Sequence, residues 1–258
     1  MATDRTAGEK ATFALSKVPQ ITIAFWIVKI LATTVGETGG DALSMTLDLG
    51  YAVSTVIFFA FFCVALIGQI ATTRYHPFAY WAVVVATTTV GTTTSDYLDR
   101  TAGLGYVASS IAELALVIAI LAIWRATTGS IAVDRITTRR NELFYWVTIL
   151  VSNTLGTALG DFAASSTGLG FGGGALVFAA LLALIAAAHY FTKLSRAVLF
   201  WAAYVLTRPL GATVGDVLTK PTTEGGLDLS RIASSFVILA LMVIVILATS
   251  LRKRSALK

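Results

Sequence analysis

The sequence predicts an all-α fold, a polytopic membrane helical bundle of eight transmembrane helices arranged as four parallel two-helix repeats in two halves. Three observations predict it. Composition is 56% hydrophobic and only 13% charged, against about 25% charged residues in a soluble domain. Eight apolar runs are long enough to supply the roughly 20 helical residues that cross about 30 Å of hydrocarbon. A single frame, Trp-x9-Gly-x4-Asp, occurs four times with no change in spacing, the signature of a repeat architecture.

The runs lie approximately at 18–38, 50–71, 77–96, 105–124, 143–161, 170–191, 197–217 and 231–251. The odd-numbered runs carry the frame: Trp26, Gly36 and Asp41; Trp81, Gly91 and Asp96; Trp146, Gly156 and Asp161; Trp201, Gly211 and Asp216. Three even-numbered runs open on Gly50-Tyr51, Gly105-Tyr106 and Gly170-Phe171, each nine residues after its Asp. The fourth copy departs, inserting KPTTEGGLDLS and resuming near Ile232. The tryptophans are 55, 65 and 55 residues apart, which divides the chain into two similar halves. The expected organisation is a segment 1–17, a first membrane half 18–124, a basic linker 125–141, a second half 142–251 and a tail 252–258.

The first seventeen residues lead into an apolar run without a small-residue cleavage site, so an uncleaved first span is expected. With eight spans, the termini and the even-numbered loops share one side. That side collects 14 of the 19 basic residues, which makes it cytoplasmic by the positive-inside rule. Localisation is therefore the inner (plasma) membrane, with both termini in the cytoplasm and the four motif carboxylates near an acidic outer mouth that concentrates cations. The basic pI of 9.4 is thereby a topological feature, and no nucleic-acid partner is expected. Because each repeat holds two spans, the four copies share one orientation, related by rotation about the membrane normal.

Cys63 is the sole cysteine, which excludes an internal disulfide and a thiolate cluster. His76 and His189 lack metal-ligand spacing, no phosphate loop precedes a Lys-Ser or Lys-Thr pair, and no nucleophile with a base can be placed. The expectation is no enzyme and no resident cofactor, with the lipid bilayer and a small cation substrate as partners; a homo-oligomer is compatible with the sequence.

The motif turns carry oxygen donors where a lipid-facing helix would carry Leu: Thr33, Thr34, Thr88, Thr89, Asn153, Thr154 and Thr213. Carboxylates with hydroxyl and amide oxygens are the donor set hard cations take. The same residues also serve packing, since Gly and Thr are common at membrane helix interfaces and an Asp can cap a turn. Unrepeated charges are costly in a bilayer and carry separate information. Glu113 stands where its equivalents are Phe58 and Phe178, Arg208 where they are Thr33, Thr88 and Asn153, and Lys29 lies deeper. The expected ion pair is Glu113 with Arg208, with Glu37 as the alternative partner of Arg208.

The chain from about Val18 to Leu251, and the segment KVPQITIAFWIVKILATTVGETGGDALS most strongly, resembles a bacterial family of uncharacterised membrane-anchored proteins. That family is built of tandem repeats of unknown function, two spans and one marked Trp per repeat, usually four in number. The resemblance implies the architecture and no activity. The core Gly36-Glu37-Thr38-Gly39-Gly40-Asp41 is also distantly similar to the acidic motifs of bacterial manganese and calcium exporters. TTVGETGGD and ATTTVGTTTSD look like a potassium-channel pore helix and filter, although copies three and four lose that pattern.

The function expected is secondary transport of a metal cation, with export of a divalent such as Mn2+. Asp41, Asp96, Asp161, Asp216 and Glu37 bind the metal. Thr34, Thr89, Asn153, Thr154, Glu113, Arg208 and Lys29 line the substrate path. Trp26, Trp81, Trp146, Trp201, Gly36, Gly91, Gly156 and Gly211 are structural. The alternatives are a potassium-channel-like cation pore, an anion or organic-solute carrier, and a non-transporting membrane scaffold.

Overall fold

The computed structural model describes residues 17–255, so the segment before Lys17 and the last three residues of the expected tail lie outside the described chain. Among the described residues there are eight long helices and no strand. They are α1 (Ile23–Asp41), α2 (Gly50–Ala71), α3 (Pro77–Asp96), α4 (Tyr106–Thr128), α5 (Arg139–Asp161), α6 (Gly170–Phe191), α7 (Arg196–Thr219) and α8 (Arg231–Ser255). The Thr22 and Thr138 hydroxyls accept backbone N–H groups at the starts of α1 and α5, satisfying donors that a first turn leaves orphaned.

The motif helices run unbroken through Gly36, Gly91, Gly156 and Gly211. In the first three repeats the helix widens after its Asp into a π turn, at Ala42–Thr46, Tyr97–Thr101 and Phe162–Ser166. The chain then reverses at Gly50, Gly105 and Gly170, whose φ angles of +71°, +73° and +65° are readily available to glycine. That is why Gly stands at the start of α2, α4 and α6. In the fourth repeat α7 continues to Thr219 without a π turn, and KPTTEGGLDLS forms the connection to α8. The central linker is shorter than its composition suggests, because α4 extends through Thr128 and α5 begins at Arg139.

The motif helices form a closed ring. Helix α1 packs on α3, α3 on α5, α5 on α7, and α7 returns to α1. The second helices lie outside this ring, each displaced by one repeat: α2 covers α3, α4 covers α5, α6 covers α7, and α8 covers α1. Each repeat therefore completes the packing of its successor, and the last completes the first. Six of the eight helices are long and apolar enough to cross a membrane; α1 and α3 are the exceptions, being rich in Thr and carrying charge. In the apolar windows only 17% of α2 and 11% of α6 is buried within the chain, against 67% for α5 and 61% for α7. The outer helices thus present unburied apolar faces suited to lipid, and the chain reads as a membrane protein.

One seam organises the ring. Counting from the motif Gly, the residues at −11, −7, −3, +1 and +5 recur every fourth position, the spacing that stacks side chains on one helix face. All twenty are buried. Phe25, Tyr80, Tyr145 and Phe200 form the first layer. Above them lie Lys29, Val84, Ile149 and Tyr204; then Thr33, Thr88, Asn153 and Arg208; then Glu37, Thr92, Thr157 and Ala212; and finally the four motif Asp residues.

The first layer explains the tryptophans, which directly follow it in sequence. Phe25 packs on Trp81 at 5.5 Å, Tyr80 on Trp146 at 5.4 Å, Tyr145 on Trp201 at 5.9 Å, and Phe200 on Trp26 at 5.7 Å between ring centroids. These separations are those of favourable aromatic pairs. Every aromatic at −11 meets the Trp of the next repeat, closing the Trp end of the ring with eight side chains. The Tyr80 and Tyr145 hydroxyls also bond one another.

The glycines are notches. A Cβ on Gly36 would collide with Thr88, on Gly156 with Arg208, on Gly211 with Thr33, and on Gly91 it would lie 2.8 Å from the Asn153 backbone. In every case the intruding residue is the −3 residue of the neighbouring repeat. The close approach lets Thr88 Oγ1 donate to the Ala32 carbonyl at 3.1 Å and Thr33 Oγ1 to the Thr207 carbonyl at 3.2 Å, which suits membrane interfaces, where small residues and interhelical hydrogen bonds replace the hydrophobic drive.

Candidate ion site in the helix ring

The four motif Asp residues end up at one level of the ring, each 1–3% exposed. None of Asp41, Asp96 and Asp161 caps the π turn that follows it. They are held by cations. Arg100 Nε lies 2.8 Å from Asp96 and its Nη2 donates to Asp161 at 2.9 Å. Lys220 Nζ lies 3.0 Å from Asp41 and 3.2 Å from Asp216, with Arg231 a further 3.6 Å from Asp41. Burial disfavours charge on Lys220, but Asp216 and Asp41 outweigh it and hold its pKa above the ordinary lysine range.

These bridges follow a rule. Arg100 and Lys220 are each four residues after their own Asp, and each reaches the Asp of the next repeat around the ring. Repeats one and three have Met45 and Ser165 at that position. The Asp end therefore has two-fold rather than four-fold symmetry, with one cation joining repeat two to three and the other joining repeat four to one. Sequence reading passes over both cations, although their i,i+4 spacing from an Asp is the available signal.

Beneath the Asp layer, the Arg208 stem crosses Gly156 and its Nη2 reaches three residues of the +1 layer. The two N–H groups of Nη2 are shared among Glu37 at 2.9 Å, Thr92 at 2.6 Å and Thr157 at 2.7 Å. One guanidinium from α7 thus ties together α1, α3 and α5. Ala212, on α7 itself, takes the fourth +1 position and leaves room for this. A layer lower, Lys29 Nζ donates to Asn153 Oδ1 at 3.3 Å and lies 4.2 Å from the Tyr204 ring centroid, while Asn153 Nδ2 donates to Thr87 at 3.0 Å. Among the described residues no carboxylate pairs with Lys29. Arg208 Nε and Nη1 and the Tyr204 hydroxyl have no hydrogen-bond partner there either.

The ring therefore brings together Asp41, Asp96, Asp161, Asp216, Glu37, Asn153, Arg208 and Lys29. It does not use Thr34, Thr89 and Thr154 in the same way: each hydroxyl bonds a carbonyl of its own helix, of Ile30, Val85 and Leu150. The expected Glu113–Arg208 pair does not form. Glu113 is on the outer helix α4, whereas Arg208 points into the ring, so Glu37 is the partner. Both Glu113 carboxylate oxygens are buried without a hydrogen-bond partner among the described residues. Glu37, Asp41 and Asp216 each offer a carboxylate oxygen within 4.8 Å of the others, a donor set of the kind a divalent cation takes.

Four copies of one repeat, described as Repeat of Unknown Function (DUF347), match residues 24–75, 79–130, 144–195 and 199–255. The chain belongs to the DUF347 family. Each match begins within two residues of a motif Trp and takes in one ring helix with the outer helix after it, so the DUF347 repeat is the two-helix unit described above. No curated protein and no solved structure matches the chain.

Proposed function

We propose that this DUF347 protein is a secondary transporter for a small metal cation, with the solute route along the axis of the helix ring. In this reading all eight helices span the inner membrane, both termini are cytoplasmic, and the Asp end faces outward. The observation that carries it is the convergence of Glu37, Asp41 and Asp216 inside an apolar shell, with Lys220 already seated between two of the three carboxylates. Burying Glu37 and the four Asp residues together with Lys29, Arg208 and Lys220 is expensive in a bilayer, and a protein that only packed helices has no need of them.

The tethered cations supply a mechanism. Lys220 and Arg208 stand where a substrate cation would be compensated, and a divalent ion entering the cluster displaces Lys220. Bridges between the two sequence halves include Arg208 to Glu37 and Arg231 to Asp41, and, on cations that also hold an Asp of their own repeat, Arg100 to Asp161 and Lys220 to Asp41. Rocking of the halves about the axis breaks these cross-half contacts, the buried Arg208–Glu37 pair among them, and keeps the local pairs Arg100–Asp96 and Lys220–Asp216. The aromatic layer at the Trp end is the opposing gate. Alternating access by related repeats has this form.

The test is flux into proteoliposomes, with Mn2+, other divalents, K+ and H+ measured separately, comparing wild type with Asp41→Asn and Asp161→Asn. Saturable divalent uptake lost in the first variant supports the reading; no flux of any cation overturns it. A second reading rests on a separate observation. Lys29 has no carboxylate beside it among the described residues, and Arg208 keeps unpartnered N–H groups, donors suited to a small anion. Anion flux abolished by Lys29→Met but retained in Asp41→Asn selects that alternative.

A further inference from the structure

The ring is covered unevenly on its outside, and at one place a groove of about 900 Å³ opens between α1, α6 and α7 beside the linker. Its wall is apolar along most of its length, including Ile27, Ile30, Leu182, Ile185 and Ala203. Trp26 belongs to this wall. It is the one motif Trp left partly exposed, while Trp81, Trp146 and Trp201 are 4%, 1% and 3% exposed.

The groove has a polar end and an apolar end. Arg196 and His189, both exposed and in contact with one another, stand at the rim with Tyr190, and Asp134 is the one carboxylate among the lining residues. The neighbouring Lys193 is exposed at the same end. From Arg196 to Thr207, the deepest lining residue of α7, is eleven helical residues, or about 16 Å at 1.5 Å each. Half of a 30 Å hydrocarbon core is about 15 Å. The groove thus runs for the depth of one leaflet, with its cationic rim where headgroups lie.

We propose that this groove is a binding site for one anionic phospholipid, its phosphate held by Arg196 and His189 and an acyl chain laid along Ile27, Ile30 and Ile185 toward Ala203. The occupant is a lipid rather than a peptide because two of its walls, α6 and α7, are helices long and apolar enough to cross a membrane, and the α1 wall is apolar through Ile23, Trp26, Ile27 and Ile30. It is anionic because the rim carries an arginine beside a histidine against one carboxylate, and a basic group near a membrane surface favours acidic lipid. The site is independent of the transport reading and of the substrate.

The test is native mass spectrometry of the full-length protein in detergent with phosphatidylglycerol or phosphatidylcholine of identical acyl chains. Wild type is expected to retain one phosphatidylglycerol at about fivefold preference. Arg196→Ala should remove the preference, and Ala186→Trp, which fills the groove, should remove the bound lipid. Leu184→Trp, on an exposed face of the same helix, is the control and should retain it. Equal binding of the two lipids by wild type, or retention by Ala186→Trp equal to the control, overturns the proposal. It is also overturned if lipid binds only after residues 1–16 are deleted, since the groove is then the seat of the chain's own N-terminal segment.

Discussion

Arg208 donates to Glu37 across 2.9 Å inside the ring, and neither side chain reaches the surface. Removing one member of such a pair leaves a buried charge without its counter-charge, which costs about 3–5 kcal/mol, whereas removing both is far less damaging. Glu37→Gln and Arg208→Met should each lower the thermal midpoint in detergent sharply, and the double variant should recover most of the loss. Additive losses would show that the two residues act separately.

The glycine notches give a second expectation. At Gly36 and Gly211 the approaching atoms belong to Thr88 and Thr33, including their backbone, which cannot swing away. Gly36→Ala and Gly211→Ala should destabilise by about 1–3 kcal/mol, the usual effect of overpacking. A methyl group on Gly68 would meet nothing within 4 Å, and Gly68→Ala should be neutral or stabilising by up to about 1 kcal/mol, since Ala is the better helix former. Unfolding midpoints of the three variants measured side by side decide it; equal effects would remove the notch argument.

Glu113 is a charge with no evident support. Its oxygens are buried and unpartnered among the described residues, and the equivalent positions in two other repeats are Phe58 and Phe178. Glu113→Gln should leave stability unchanged or raise it, and Glu113→Phe should raise it by about 1–3 kcal/mol, the usual desolvation cost of an unsatisfied buried group. A fall in the unfolding midpoint of both variants would mean that Glu113 has a partner or ligand that supports the fold.

The repeats, the helical class and the Gly at the start of α2, α4 and α6 are legible because each leaves a mark in spacing: the Trp–Gly–Asp frame, the apolar run lengths and the Gly-aromatic pairs. The closed ring is not, because four parallel copies can surround one axis or two, and only the packing of α7 on α1 decides between them. The Glu113–Arg208 pairing fails for a related reason. It rests on a shared depth in the membrane, and depth says nothing of which side of a helix faces inward. The every-fourth-residue seam holds that information, since Arg208 lies on it at −3 and Glu37 at +1, whereas Glu113 belongs to an outer helix. The cations at the Asp end are hidden by their position in what looks like a loop, yet Arg100 lies in the π turn that prolongs α3 and Lys220 follows directly on the end of α7.

Those two cations carry the last prediction. Arg100 and Lys220 each bind an Asp of their own repeat and an Asp of the next, and the second contact in each case joins the two sequence halves. Removing the cations leaves four carboxylates at one level with Arg231 as the remaining nearby partner of Asp41, and like charges so placed repel. The double variant Arg100→Met, Lys220→Met should therefore open the Asp end. The reporter is a cysteine replacing Thr157, one layer below the Asp residues and buried in the wild type, in a Cys63→Ala background. Labelling by a membrane-impermeant maleimide added on the Asp side should accelerate about tenfold or more, equivalent to a shift near 1.4 kcal/mol in the opening equilibrium. A circular-dichroism spectrum unchanged from wild type separates opening from unfolding. An unchanged labelling rate in a folded double variant would show that the bridges do not latch the ring, and the two-half movement would lose its support.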